Sequence, residues 1–264
     1  MKSRWKKYFL RSSFLILVLS LIVGGYFVPI FGFGDYISPS GEFERGKTIW
    51  DWLELLIIPL ALAGGAYYLN KEEKELERGI AKDRQQEAAL QSYFDRMSEL
   101  LVEKKLSSTK EKEVRDIARI RTLSVLRGLD PKRKRMVLLF LDEALLISSH
   151  PERDTVIALY GADLTYADLS NIHLCQARLS NTDLSMANLK GAIFDYCDFA
   201  GAKLISADLQ GCDLTGETAP GVPSSLFHAD LSYANLTKAL ISSEQLAEVE
   251  SLRGTTMPDG TVHE

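Results

Sequence analysis

Apolar residues recur at every fifth position from Leu159 to Leu214 without a break. The series runs Leu159, Leu164, Leu169, Leu174, Leu179, Leu184, Leu189, Phe194, Phe199, Leu204, Leu209 and Leu214. On a helix a five-residue step turns about 140°, at about 100° per residue, and scatters these side chains over every face. On a flat strand an odd step sends successive leucines to opposite sides. Position i−2 is small or modest throughout: Ile157, Ala162, Ala167, Ile172, Ala177, Thr182, Ala187, Ala192, Cys197, Ala202, Ala207 and Cys212. Residues i and i−2 share one side of an extended segment, so both face inward if the chain turns a corner before the next unit. Four corners close a square. Twenty residues then make one coil, and coils stack about 4.8 Å apart through backbone hydrogen bonds.

The phase departs at 215–228, where Leu231 follows Leu214 by 17 residues, and Pro220 and Pro223 predict a protruding loop. Leu231, Leu236, Ile241 and Leu246 resume the series. The last of these falls in a short helix capped by Ser242 with Gln245, which we expect to close the open end of the stack.

The N-terminal pattern is different in kind. Residues 12–31 carry no charge and are long enough, at about 1.5 Å per residue, to cross ~30 Å of hydrocarbon. No small-x-small cleavage site follows, which argues against a secretory signal. Residues 52–68 form a second, weaker apolar run with Glu54 near its start and Pro59 inside. Lys2, Arg4, Lys6, Lys7 and Arg11 precede the first run, against Arg45 and Lys47 in the loop, so a cytosolic N-terminus is expected. Trp5 and Tyr8, then Tyr26, Trp50 and Trp52, then Tyr67 and Tyr68 fall where interfacial belts of a two-helix hairpin belong.

Between hairpin and repeat the period is helical. Leu90, Phe94, Met97 and Leu101 share one face of a charged segment over 70–106. Ser108 with Glu111 reads as a capping box ahead of Val114, Ile117, Ile120 and Leu123, with Gly128 at that helix's end. Asp130 and Pro131 then start another helix whose run 136–147 reads as buried. The expected organisation is a transmembrane helical hairpin over 1–70, a cytosolic helical stalk and cap over 71–149, the repeat over 150–246, and a capping helix and tail over 247–264.

Composition adds little until it is localised. With 46% apolar and 25% charged residues the chain supports a sizeable core, and the net charge of −5 names no partner. Cys175, Cys197 and Cys212 lack CxxC spacing and are odd in number, which fits a reducing compartment. Residues 104–135, however, hold twelve basic against four acidic side chains, a net of +8. Lys132, Arg133, Lys134 and Arg135 crowd a helix N-terminus, where the macrodipole disfavours cations. An anion is expected there: the lipid surface, a nucleic acid, or the acidic repeat of the same chain. The repeat, over 155–246, holds ten acidic against four basic residues, a net of −6. Residues 20 apart stack, so Asp163, Asp183 and Lys203 form one outward column and Asp168, Asn188 and Asp208 another.

These units resemble the pentapeptide-repeat proteins, whose units read roughly A(D/N)LXX and form a right-handed quadrilateral β-helix. The resemblance covers about residues 155–246, and the segments "DRQQEAALQSYFDRMSELL" and "TMPDGTVHE" are similar to the membrane-anchored, cyanobacterial type. It implies a fold and no chemistry. His173, Cys175 and His228 make an incomplete metal set, and no nucleophile with its base or phosphate-binding glycine loop is present in the sequence. We therefore expect a protein without catalytic residues, cofactor or metal. The expected role is a membrane-anchored protein-interaction scaffold in a bacterial inner or thylakoid membrane, both termini cytosolic. Its expected partners are membrane lipids and an unidentified protein, with nucleic acid disfavoured and oligomeric state open. The alternative is a DNA-mimicking modulator of a DNA-binding enzyme such as gyrase.

Overall fold

The structure, a computed structural model, describes residues 36–37, 39–44, 49–148, 155–216 and 223–264. The chain divides into two compact units, Met1–Gly79 and Ile80–Glu264. In the first, β1 (Tyr36–Ile37) pairs antiparallel with β2 (Phe43–Glu44), and α1 (Ile49–Glu103) begins. The expected span at 12–31 lies outside the described residues. The expected span at 52–68 falls within α1, which does not break at residue 70 but continues with Pro59 inside it. Among the described residues no helix is long and apolar enough to cross a membrane.

In the second unit the helical layer packs as its period requires. Leu90, Tyr93 and Met97 of α1 are buried, and the rings of Phe94 and Phe140 meet at 5.0 Å. The helix α2 (Lys112–Gly128) departs from expectation at its start, since Glu111 is the N-cap and makes no side-chain cap. Ser108 instead sits in a turn closed by its amide on the Lys105 carbonyl at 2.9 Å. The buried face is Ala118, Thr122 and Leu126, while Ile117 and Ile120 are exposed. Small side chains on that face admit close approach, and the Tyr93 hydroxyl bonds Thr122 Oγ1 at 2.9 Å across it. In α3 (Pro131–Glu143), Asp130 accepts from the amides of Lys132 and Arg133 at 3.0 Å each, with Pro131 in the first turn. The helix stops at Glu143, short of the expected 147, and Leu146 and Ile147 are buried beyond it.

The coil follows the five-residue register. Every residue of the Leu159 to Leu214 series is buried, and so is every i−2 residue from Ile157 to Cys212. Coils bond in both directions: the Leu164 amide donates to the Asp183 carbonyl at 2.8 Å, and the Asp183 amide donates back to the Ala162 carbonyl at 2.9 Å. One side is regular enough to form β3 (His173–Cys175) parallel to β4 (Ile193–Asp195). The corners need left-handed backbone, and Asn171, Asn181, Tyr166, Met186, Gly191 and Gly201 supply it.

Two boundaries differ from expectation. Ser225 pairs with Asp198, and Ser224 and Leu226 are buried, so the phase resumes at Leu226 and not at Leu231. Stacked positions are 20 residues apart for Asp168 and Asn188 but 27 apart for Asp208 and Asn235, so one coil carries a seven-residue insertion. At the other end, α4 (Ser243–Ala247) has the expected capping box, Ser242 with Gln245. It replaces one side of a coil instead of ending the stack. Ser251 and Thr256 go on to pair with Asp230 and Asn235, and Val262 returns antiparallel against Thr256. Residues 247–264 are thus a last partial coil and its lid.

Candidate functional site

A stack of coils has two problem edges, because the first and last coils carry backbone groups with no neighbour. In the second coil the carbonyls of Arg178, Ser180, Ser185, Asn188 and Lys190 accept from amides of the first. Twenty residues earlier, the equivalent carbonyls are those of Ala158, Tyr160, Thr165, Asp168 and Ser170, with no coil beneath them. Side chains of the helical layer take the missing place. Arg119 Nε donates to the Ala158 carbonyl at 3.0 Å and its Nη2 to that of Tyr160 at 2.7 Å. Lys134 Nζ donates to the Thr165 carbonyl at 2.9 Å and to Asp163 Oδ1 at 3.0 Å. Arg135 Nη1 donates to Ser170 at 2.5 Å and to Asp168 at 3.5 Å. Backbone completes the seal, with the Asp168 amide on Pro131 at 3.2 Å and the Ile157 amide on Leu146 at 2.7 Å.

This relocates the basic turn. Of the four residues expected to face lipid or another anion, Lys134 is buried and Arg135 half-buried against the chain's own repeat, the third candidate anion. Arg133 bonds Asp83 at 2.8 Å, Glu87 at 2.9 Å and Asp130, which ties α1 to α3 and holds the guanidinium firmly charged. Lys132 is exposed. Lys134 and Arg135 of that turn thus reach acceptors within the chain itself. Nothing in the local sequence pattern of Arg119 separates it from a solvated helix face.

The opposite edge is closed by other means. The Gln245 side chain, buried, donates to the carbonyls of Leu214 and Ser224 at 2.8 and 2.7 Å. The Gly254 amide and the Thr255 carbonyl pair with His263 at 2.8 Å each.

Along the sides, an Asp or Asn that precedes an inward residue has a local task. Its Oδ1 accepts the amide two residues on, as for Asp163 with Thr165 at 3.0 Å, Asp183 with Ser185 at 3.0 Å and Asp230 with Ser232 at 2.9 Å. This Asx turn explains the D/N of the repeat. For Asp163 burial pushes the carboxyl up, but donors from Thr165 and Lys134 outweigh it and hold the pKa below the usual range. For Asp168 the Ser170 hydroxyl is the largest cause of the same downward shift. The expected columns are present as Asp163, Asp183, Lys203, Asp230 and as Asp168, Asn188, Asp208, Asn235. They are internally neutralised in part: Asn188 donates to Asp168 at 2.9 Å, and Lys190 pairs Asp208 at 3.2 Å.

Thiol chemistry finds no support. Burial pushes Cys197 and Cys212 up to about 12. Burial, Asp195 and Asp142 raise exposed Cys175 as well. His173 Nε2 lies 2.8 Å from Asp195 Oδ2, and among the described residues no group of three or more His, Cys, Asp or Glu is placed to hold a metal. His228 packs its ring on Phe227 at 4.1 Å.

The family profile described as pentapeptide repeats, with eight copies, matches residues 159–195 and 187–216. No curated protein sequence matches. The crystal structure of HetL, a pentapeptide repeat protein involved in heterocyst differentiation regulation from the cyanobacterium Nostoc sp. strain PCC 7120, is 34% identical, covers 40% of this chain and 56% of that one, and gives a TM-score of 0.28. The pentapeptide repeat protein Rfr23 from the cyanobacterium Cyanothece 51142 is 27% identical, with 46% and 80% covered and a TM-score of 0.20. QnrB1, a plasmid-mediated fluoroquinolone resistance protein, is 22% identical, with 37% and 59% covered and a TM-score of 0.18. This chain therefore spans little more than half the length of HetL. The five-residue register and the family profile agree on one point: residues 159–216 of the coil are pentapeptide repeats.

Proposed function

We propose that the protein is a non-catalytic protein-interaction scaffold, anchored in a bacterial inner or thylakoid membrane, with both termini in the cytosol. One observation carries the interaction role. Inward positions of the coil are filled by Leu, Phe and small side chains down to zero exposure, so all variable chemistry lies on its outside. A solid rod with both end coils capped offers a substrate no interior and a partner several rigid faces. The uncharged run 12–31, which precedes the described helices, supports the anchor. Modulation of a DNA-binding enzyme by charge mimicry is the weaker reading, because the acidic columns are interrupted by Asn188, Asn235 and Lys203 and tied into Asx turns.

The test is made on the full chain in cells. A cysteine placed at Ser40 is expected to react with a membrane-impermeant thiol reagent while Cys175 does not, and the protein is expected to stay in the membrane through alkaline carbonate washing. Labelling of Cys175 in intact cells contradicts the cytosolic placement of the repeat, and release by carbonate contradicts the anchor. Inhibition of gyrase supercoiling by the purified chain at micromolar concentration reverses the ranking of the two roles.

A further inference from the structure

The four corner edges of the coil are not alike. One edge carries a large side chain at the same left-handed corner position on three of four successive coils, Tyr166, Met186 and Tyr233, while the third coil has Ser206 there and half-buried Ile205 just before it. Tyr166, Met186 and Tyr233 are 59%, 53% and 54% exposed. The neighbouring corner, by contrast, has Gly161, Asn181, Gly201 and His228 at the equivalent position, preceded in turn by Tyr160, Ser180, Ala200 and Phe227. We propose that this ridge is the docking surface for a basic, apolar-anchored segment of a protein partner, a proposal that rests on the scaffold reading above.

The ridge is preorganised. Tyr166, Met186 and Tyr233 sit at φ of 58°, 59° and 61°, and each amide is bonded to the next coil, at 3.1, 2.9 and 2.8 Å. The backbone therefore loses no freedom when a partner arrives. The Tyr233 ring lies against Gly254, where an added Cβ would come within 2.6 Å of it, so the last anchor is seated on a bare backbone. Coils repeat at about 4.8 Å, close to the ~5.4 Å pitch of an α-helix. Apolar residues on successive turns of one helix thus meet Tyr166 and Met186 on adjacent coils, and Tyr233 lies two coils beyond Met186. Exposed Tyr and Met are side chains that interfaces favour.

Charge selects among occupants. The columns flanking the ridge offer Asp168, Asp183 and Asp230, with Asp208 already paired to Lys190, against Lys203. A second copy would set acid against acid, and an anionic bilayer or a nucleic acid is repelled for the same reason. A segment with lysine or arginine beside its apolar anchors meets both demands.

The probe is a labelled amphipathic Leu/Lys helical peptide, titrated into the purified full chain. Binding is expected to weaken at least tenfold when Tyr166→Ser, Met186→Ser and Tyr233→Ser are combined. It is expected to weaken further with salt and with Asp183→Asn plus Asp230→Asn, and to be unchanged by Tyr160→Ser plus Phe227→Ser, all variants keeping the parent melting temperature. No binding, equal loss in the control pair, tighter binding of a Leu/Glu peptide, or a change confined to oligomeric state overturns the proposal. A photo-crosslinker at 186 and, separately, at 180 distinguishes the two levels. Capture at 186 of a segment that mass spectrometry maps as basic supports the ridge. Capture only from 180 removes the ridge and leaves the scaffold. Capture from neither removes both.

Discussion

Lys134 of α3 and Asp163 of the first coil form a 3.0 Å ion pair in which the lysine side chain is only 5% exposed. The same ammonium reaches the Thr165 carbonyl, so one cation closes both a charge and a backbone vacancy at the coil's edge. Lys134→Met should destabilise the second unit by about 1–3 kcal/mol in urea unfolding, the range for leaving such groups unsatisfied. Adding Asp163→Asn should recover part of the loss, since the pair is coupled. Additive losses would contradict the pairing.

Asp163 and Asp168 have folded pKa values held below the usual carboxylate range. A depressed folded pKa contributes stability that is present above the unfolded value, about 3.9, and lost as pH falls through the folded one. The melting temperature should therefore drop below about pH 4. Asp142, raised by burial, has the opposite sign and offsets a part. A thermal scan against pH checks this, and Asp163→Asn should flatten the drop.

Gly201 and Gly211 both sit in left-handed corners, at φ of 66° and 65°. An added Cβ at Gly201 would come 2.7 Å from Asn181 Oδ1, whereas nothing lies within 4 Å of Gly211. Each Gly→Ala change should cost about 1–2 kcal/mol for the conformation. Gly201→Ala should cost more, and Asn181→Ser should relieve the excess.

Leu184 and Met186 are two residues apart and oppositely placed, at 1% and 53% exposure. Leu184→Lys puts a charge into a filled core and should abolish the coil's cooperative melting, while Met186→Lys should leave it within about 0.5 kcal/mol. Equal losses would refute the register.

The register was legible because an inward leucine every five residues leaves one way to close a coil. The loop exit was not. Ser224 and Leu226 already occupy inward positions, yet a serine directly after Pro223 and a leucine followed by Phe227 and His228 look like loop. The last partial coil was hidden for a related reason: Thr255 fills an inward position only because its hydroxyl donates to the Leu231 carbonyl at 2.7 Å. At the candidate site, the misplaced cations of α3 announced an anion but not its address. Arg119 gave no signal, because its acceptors, the carbonyls of Ala158 and Tyr160, have no side-chain signature.

A scaffold must be rigid to its first coil, and that rigidity is assigned here to Arg119, Lys134 and Arg135 standing in for a missing coil. Amide hydrogen exchange on the full chain tests this directly. Leu159, Leu164 and Leu169 are expected to be protected as strongly as Leu184 and Leu189. Replacing the three cations by methionine is expected to fray the first coil alone. First-coil amides that exchange freely in the parent protein, or that stay protected in the triple variant, would contradict that assignment.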